Sequence, residues 1–193
     1  ERYEEATFVY RLCDRIGSVL GESAIAGLVV REAATVLSAR SGELWLRRGR
    51  KLVLAASLPE SSATAPTPPV EETAATGLPW ARDGGTGDTS SAVVALPEGD
   101  GSSLGALVLH GRPEGRDYMT GEIKLMTAIA ALAAAFIRNE RLAEKARGAD
   151  ARLRDDEIAR AIHRGLLPRH DPLFAGLGVS GGFRAADGVG GDY

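Results

Sequence analysis

From Thr120 to Leu166 the sequence holds one helical pattern, and Pro168 is its first stop. About 46 residues at 1.5 Å each would reach roughly 70 Å, far more than a compact domain of this size needs. A fold for this chain must therefore lay part of the helix on a domain and send the rest onward. The first part repeats Ile123, Met126, Ile129, Ala130, Ala133, Phe136 and Ile137, a stripe wide enough to cover a sheet. Further on the stripe narrows to Leu142, Ala146, Ala149 and Leu153, spaced like the seam between two helices. That spacing predicts a homodimer through the C-terminal helix; a solvated connector would read the same way. Thr120 reads as the N-cap, with Glu122 in the first turn.

Upstream, Phe8, Leu12, Ile16, Val19 and Leu20 form one helical stripe over residues 3–20, ended by Gly21. A second helix over about 23–39 carries Ile25, Leu28, Val29, Ala33, Val36 and Leu37 inward. The period then changes. In "GELWLRRGRKLVLAAS" Leu44 and Leu46 alternate with Trp45 around a basic tip at Gly49, which predicts a hairpin. Residues 59–90 read as loops around a short helix, "VEETAAT", ended by Gly77. "SAVVALP" and "LGALVLHG", joined by "EGDGS", predict a second hairpin. The predicted class is α+β: an antiparallel sheet flanked by helices, with a long C-terminal connecting helix.

Composition narrows the functional classes. A net charge of −3 gives no reason to expect nucleic acid or a membrane surface as a partner. Lys124 and Arg138 break the alanine-rich stretch, so no run of 18 apolar residues occurs, and a soluble cytoplasmic segment is expected. Cys13 is the only cysteine, which rules out an internal disulfide and a cysteine zinc site. It is expected to be a buried small hydrophobe. The chain starts at Glu1 and stops within "AADGVGGDY", which reads as a piece of a larger protein.

In this order, residues 1–142 resemble a GAF sensor domain. The resemblance rests on "SGELWLRRGRKLVLAAS" after two helices, on "LGALVLHG" as the last strand, and on "YMTGEIKLMTAIAALAAAFIRNERL" as the closing helix. It implies a sensor module, often dimeric and often with a small-molecule pocket. The cyclic-nucleotide signature of that family is missing, because the sole asparagine, Asn139, is followed by Glu140. Cys13 is badly placed for a bilin, and His110, His163 and His170 are poor candidates for a haem ligand. An apolar pocket under residues 59–90, with unknown occupant, or no ligand at all, is what remains.

"DEIARAIHRGLLPRHDPLFAGLGVSGGFRAADGVGGDY" resembles the start of the SpoIIE-type metal-dependent serine/threonine phosphatases, in the PPM/PP2C-like class. The matching parts are Leu166, Leu167 and Pro168, then Gly176 with its strand, then Gly190, Gly191, Asp192 and Tyr193. "SGGFRAADG" departs from the bulkier strand and proline usual there. The resemblance implies that Leu166–Pro168 is a regulatory switch element and that Asp192 is a metal ligand in an incomplete site. It also implies Mn²⁺ or Mg²⁺ in the full-length phosphatase, with none expected in this fragment, which should be inactive. Hard cations of that kind take anionic oxygen ligands and activate water for in-line attack on phosphorus; a turn aspartate in a tail is the plain alternative for Asp192. The organisation expected is a GAF sensor at 1–142, a signalling helix at 143–168, and at 169–193 the truncated start of a phosphatase α/β sandwich. The implied substrate is a phosphoprotein, an anti-sigma-factor antagonist in partner-switching signalling. Two other readings stay open: a GAF-linked diguanylate cyclase fragment, opposed by Tyr193 where that motif needs an acid, and a non-enzymatic dimeric ligand-binding module.

Overall fold

The computed structural model describes residues 2–60, 65–84, 90–166 and 175–176. The chain divides into two compact units, Glu1–Arg141 and Leu142–Tyr193. The first contains helices α1 (Arg2–Gly17) and α2 (Glu22–Val36), then strands β1 (Ser41–Arg48) and β2 (Lys51–Leu58). Helix α3 (Pro68–Thr76) and strands β3 (Trp80–Arg82), β4 (Ser91–Pro97) and β5 (Ser103–His110) follow, then a 3-10 turn at Pro113–Gly115. Helix α4 (Thr120–Leu166) begins in the first unit and runs on into the second.

The five strands form one sheet in the order β2-β1-β5-β4-β3, and each neighbouring pair is antiparallel. Successive side chains on a strand point to opposite faces, so Leu44 and Leu46 face one way and Trp45 the other. On the first face Leu44, Leu46, Val94, Leu107 and Leu109 are buried with Leu12 and Ile16 of α1, Val29 of α2, and Met126, Ile129 and Ile137 of α4. Burying each of these side chains contributes roughly 1.5–3 kcal/mol, which is what fixes the three helices on the sheet. On the second face Trp45, Val93, Ala106 and Val108 are buried with Val70 and Ala74 of α3. Because both faces are covered, β4 and β5 read as nearly continuous apolar runs.

The hairpins form where the sequence placed them. Gly49, with φ of 60°, is the first of the two residues between β1 and β2, as a type II′ turn requires. Several ends differ from expectation. The first helix stops at Gly17, while Gly21, at φ 92°, stands before α2 as its N-cap. Thr120 is not the cap of α4. The Ile123 N–H bonds to the Met119 carbonyl, so Met119 holds that position, and its own N–H donates to Glu122 Oε2 at 2.8 Å. Strand β3 lies in a stretch that read as loop, and it exists by pairing with Ser91–Val93 of β4. Cys13 is half-buried rather than enclosed.

An 18-residue window of α4 is long and apolar enough to cross a membrane by length and composition. Its apolar residues Met126, Ile129, Ala130, Ala133 and Ala134 instead lie in the core against the sheet. In the second unit α4 is an unbroken helix to Leu166, passing through Gly148. Leu142 and Leu153 are 57% and 63% exposed there, and Ala146 and Ala149 are exposed beside them.

Candidate functional site

The sheet register assembles a polar row at one end of the second face. Ser41 of β1 lies opposite His110 of β5, His110 lies opposite Ser91 of β4, and Ser91 lies opposite Arg82 of β3. Residues opposite one another in an antiparallel sheet share a face, so these four side chains stand together across four strands. One row deeper come Glu43, Val108, Val93 and Trp80, and beyond them Trp45 and Ala106. The face thus grades from an apolar floor under α3 to a polar rim.

A cleft of about 560 Å³ opens over that rim, lined by Ser41, Thr67, Pro69, Trp80, Arg82, Ser91, Val93 and His110. Small-molecule pockets typically occupy about 300–1,000 Å³. Helix α3 begins at the cleft with Pro68 and Pro69 in its first turn. Prolines have no N–H, and the Val70 N–H is already held by the Thr67 carbonyl. The helix therefore offers the cleft its dipole but no free backbone donor from its first three residues.

His110 is the site's titratable centre. Its Nδ1 lies 2.8 Å from Ser91 Oγ, which leaves Nε2 as the ring's remaining hydrogen-bonding atom. Burial pushes the imidazole pKa below its ordinary value; the nearby Glu43 carboxylate opposes that and the Arg82 cation adds to it. Glu43 is itself engaged, accepting from Trp45 Nε1 at 2.8 Å. Among the described residues, none of the side chains lining the cleft is acidic.

Directly after β5 a second polar cluster joins the sheet to α4. Arg112 is 4% exposed; its guanidinium contacts Glu122 Oε1 at 2.5 Å and lies 5.2 Å from the centre of the Tyr118 ring. Glu122 is the same carboxylate that caps α4 at Met119. Burial pushes the Tyr118 hydroxyl up to about 12, with Arg112 lowering it and Glu122 raising it. Among the described residues, neither Tyr118 Oη nor Arg112 Nε has a hydrogen-bond partner.

A smaller cleft of about 330 Å³ lies at the β1–β2 tip, beside Arg47, Arg50, Lys51 and Glu71. Arg47 there is committed to the carbonyls of Ala74, at 3.0 Å, and Ser103, at 3.2 Å. Arg50 and Lys51 are exposed hairpin cations, the solvated tip that the sequence suggested.

Of the described residues singled out from sequence, Leu142, Ala146, Ala149 and Leu153 are not among the side chains that line this cleft. Leu142, Ala146, Ala149 and Leu153 lie along α4 in the second unit, and Leu166 is its last residue. Leu167, Pro168 and Asp192 lie outside the described residues. Among the described residues no three His, Cys, Asp or Glu side chains converge to hold a metal ion. The pocket expected under residues 59–90 is there in part, since Thr67, Pro69, Trp80 and Arg82 come from that segment. Its character differs from expectation: the deeper apolar part is filled by packing against α3, and the open part mixes Pro69, Trp80 and Val93 with the polar Ser41, Thr67, Arg82, Ser91 and His110. His110, judged a poor candidate for a haem ligand, lines it. The signal that would have found it is the β4–β5 hairpin, whose tip near Asp100 and Gly101 fixes Ser91 opposite His110.

No family model matches the chain, and no curated protein matches it. Solved structures do. The GAF domain of an Acinetobacter phosphoenolpyruvate-protein phosphotransferase superposes with a TM-score of 0.62 at 12% identity, covering 72% of this chain and 95% of that one. The GAF domain of the phosphoenolpyruvate-protein phosphotransferase of Coxiella burnetii gives 0.62 at 17% identity, covering 75% and 96%. The free methionine-R-sulfoxide reductase of Neisseria meningitidis, solved with its substrate, gives 0.60 at 16% identity, covering 72% and 93%. The antiparallel sheet with its flanking helices thus has the GAF fold.

Proposed function

We propose that this chain is the sensor segment of a bacterial SpoIIE-type protein serine/threonine phosphatase. In this reading the first unit binds a small ligand in the cleft around His110, and α4 carries the state of that unit to the phosphatase. The observation that carries the reading is the continuity of α4. One helix packs Met126, Ile129 and Ile137 against the sheet at its start and ends at Leu166, the first residue of the Leu-Leu-Pro element. Fold alone does not specify an activity; the phosphatase rests on the tail resemblance, through Leu166, Leu167, Pro168, Gly190, Gly191 and Asp192.

The proposal extends to partners and cofactors. Two copies associate in parallel through Leu142, Ala146, Ala149 and Leu153, which are exposed in the single chain. Asp192 belongs to the ligand set for Mn²⁺ or Mg²⁺ in the full-length enzyme, and hard divalent cations of this kind favour carboxylate oxygen. The substrate is a phosphorylated serine or threonine on an anti-sigma-factor antagonist, and the protein works in the cytoplasm, without nucleic acid or membrane. Ligand control requires two arrangements of the α4 junction that differ in ligand affinity.

The test is phosphate release. The product of the gene encoding this chain, expressed from its own reading frame, is expected to dephosphorylate a phosphoserine protein only with Mn²⁺ or Mg²⁺. Asp192→Ala is expected to abolish that turnover while leaving the thermal melt of the sheet domain unchanged. Full metal-dependent turnover by the variant, or none by the parent protein, would reject the phosphatase reading and leave the ligand-binding module.

A further inference from the structure

The inward stripe of α4 changes chemistry where the helix leaves the sheet. Met126, Ile129, Ala133 and Ile137 lie buried in the core. Four residues after Ile137 the same helical face carries Arg141, which is also the last residue of the first unit. Its side chain is only 22% exposed. Arg141 Nε donates to Glu22 Oε2 at 2.6 Å, and Nη2 donates to the Arg47 carbonyl at 3.5 Å. Three residues earlier, Arg138 Nη1 donates to the Glu98 carbonyl in the β4–β5 turn at 3.0 Å. Guanidinium groups thus fasten the final turn of α4 on the first unit, where apolar side chains fasten the turns before it.

Glu22 is the common acceptor. It is the first residue of α2, and its Oε1 also takes the guanidinium of Arg48, the last residue of β1. Helix α2, strand β1 and helix α4 therefore meet on one carboxylate, whose side chain is 16% exposed. The positive end of the α2 dipole favours a negative charge at that position. A half-buried carboxylate shared by two guanidinium groups is held more firmly than an isolated surface pair. Such a fastening differs from core packing in how it lets go. Salt weakens it, while the apolar contacts of Met126, Ile129 and Ile137 stay in place.

We propose that Glu22 is a releasable ionic clamp that regulates α4, an inference that rests on α4 being the output helix of the first unit. With the carboxylate shared between Arg48 and Arg141, the turn at 138–141 is docked on α2 and β1. With Arg141 released, that turn is held by its own helix bonds alone and opens more often, while the core-facing turns before it stay packed. These are two arrangements of one helix that a bound ligand can bias.

The experiment is hydrogen exchange of the full 193-residue chain, read by mass spectrometry on α4 peptides covering residues 124–136 and 138–145. Glu22→Gln is expected to speed exchange at 138–145 by about fivefold or more and to leave 124–136 unchanged. Arg141→Met is expected to do the same, and the double variant to add nothing to either. Raising sodium chloride from about 50 mM to about 1 M is expected to speed exchange at 138–145 in the parent chain and not in Glu22→Gln. Equal exchange at 138–145 in parent and Glu22→Gln, additive effects of the two substitutions, or faster exchange in both peptides alike would overturn the clamp. The salt comparison in the parent chain needs no variant. Exchange is read without turnover, so a Glu22→Gln protein that frees 138–145 but leaves phosphate release by the longer gene product unchanged would fault the output reading alone.

Discussion

Ser91 Oγ and His110 Nδ1 stand 2.8 Å apart across the β4–β5 pair, at the rim of the cleft. The contact joins the first residue of one central strand to the last residue of its neighbour. It also fixes His110 where burial lowers its pKa and the charges of Glu43 and Arg82 act on it.

The imidazole's lowered pKa makes stability depend on pH in one direction. The unfolded chain takes up a proton near the ordinary value of 6.5, and the folded chain does so only at lower pH. The neutral ring's contribution is therefore complete above pH 6.5 and is lost as the pH falls from there through the folded pKa. Urea unfolding between pH 7.5 and 5 is expected to show stability falling more steeply for the parent chain than for His110→Gln. The two remaining histidines, His163 and His170, are common to both proteins.

Tyr118 is expected to ionise late, with its hydroxyl held up to about 12 by burial. Ultraviolet titration should show a late phenolate step that Tyr118→Phe removes. Its hydroxyl has no partner among the described residues, so the substitution also relieves a buried polar group. The thermal melt is expected to change by less than about 1 kcal/mol in stability, or to rise.

Glu122 serves two groups at once, the Met119 N–H and the Arg112 guanidinium. Replacing it with alanine strands a nearly buried cation and opens the first turn of α4. A loss of about 3 kcal/mol in urea unfolding is expected. Glu122→Gln, which keeps an acceptor for Met119, is expected to lose less.

Gly105 of β5 lies opposite Leu46 of β1. A Cβ built there would stand 1.9 Å from the Trp45 carbonyl oxygen, at a φ of 157°. Gly105→Ala must push the two central strands apart, at a cost of about 3 kcal/mol or more. Loss of the folded near-ultraviolet spectrum at 25 °C would agree with this; an unchanged melting temperature would contradict it.

The helical seam predicts mass. Light scattering of the 193-residue chain is expected to give a dimer, and the double variant Leu142→Asp, Leu153→Asp is expected to give a monomer with the same sheet-domain melt. Two aspartates facing each other across the seam repel and leave no apolar contact to offset them.

Much of the fold could be read from residue order because local chemistry decides it. The Leu12–Ile16 stripe, the Gly49 turn and the Gly77 helix stop each follow from a few adjacent residues. The errors fall where non-local pairing decides. Strand β3 has three residues, too few for a period to show, and takes its conformation from β4. Gly21 looked like a helix end because glycine commonly follows one, yet its positive φ serves the start of α2. The cleft divides in the same way. Ser91 and His110 meet through a hairpin whose turn fixes their register, whereas Ser41 and Arg82 arrive from strands whose neighbours are set by the whole sheet.

Arg112 follows His110 by two residues, and the carboxylate it holds is the one closing the first turn of α4. Beside the core packing of Met126 and Ile129, the end of the cleft-lining strand and the root of the long helix thus share the rivet of one guanidinium. A displacement of β5 at His110 would reach the first turn of α4 through that contact. Loosening that rivet should leave each half folded yet deaf to the other.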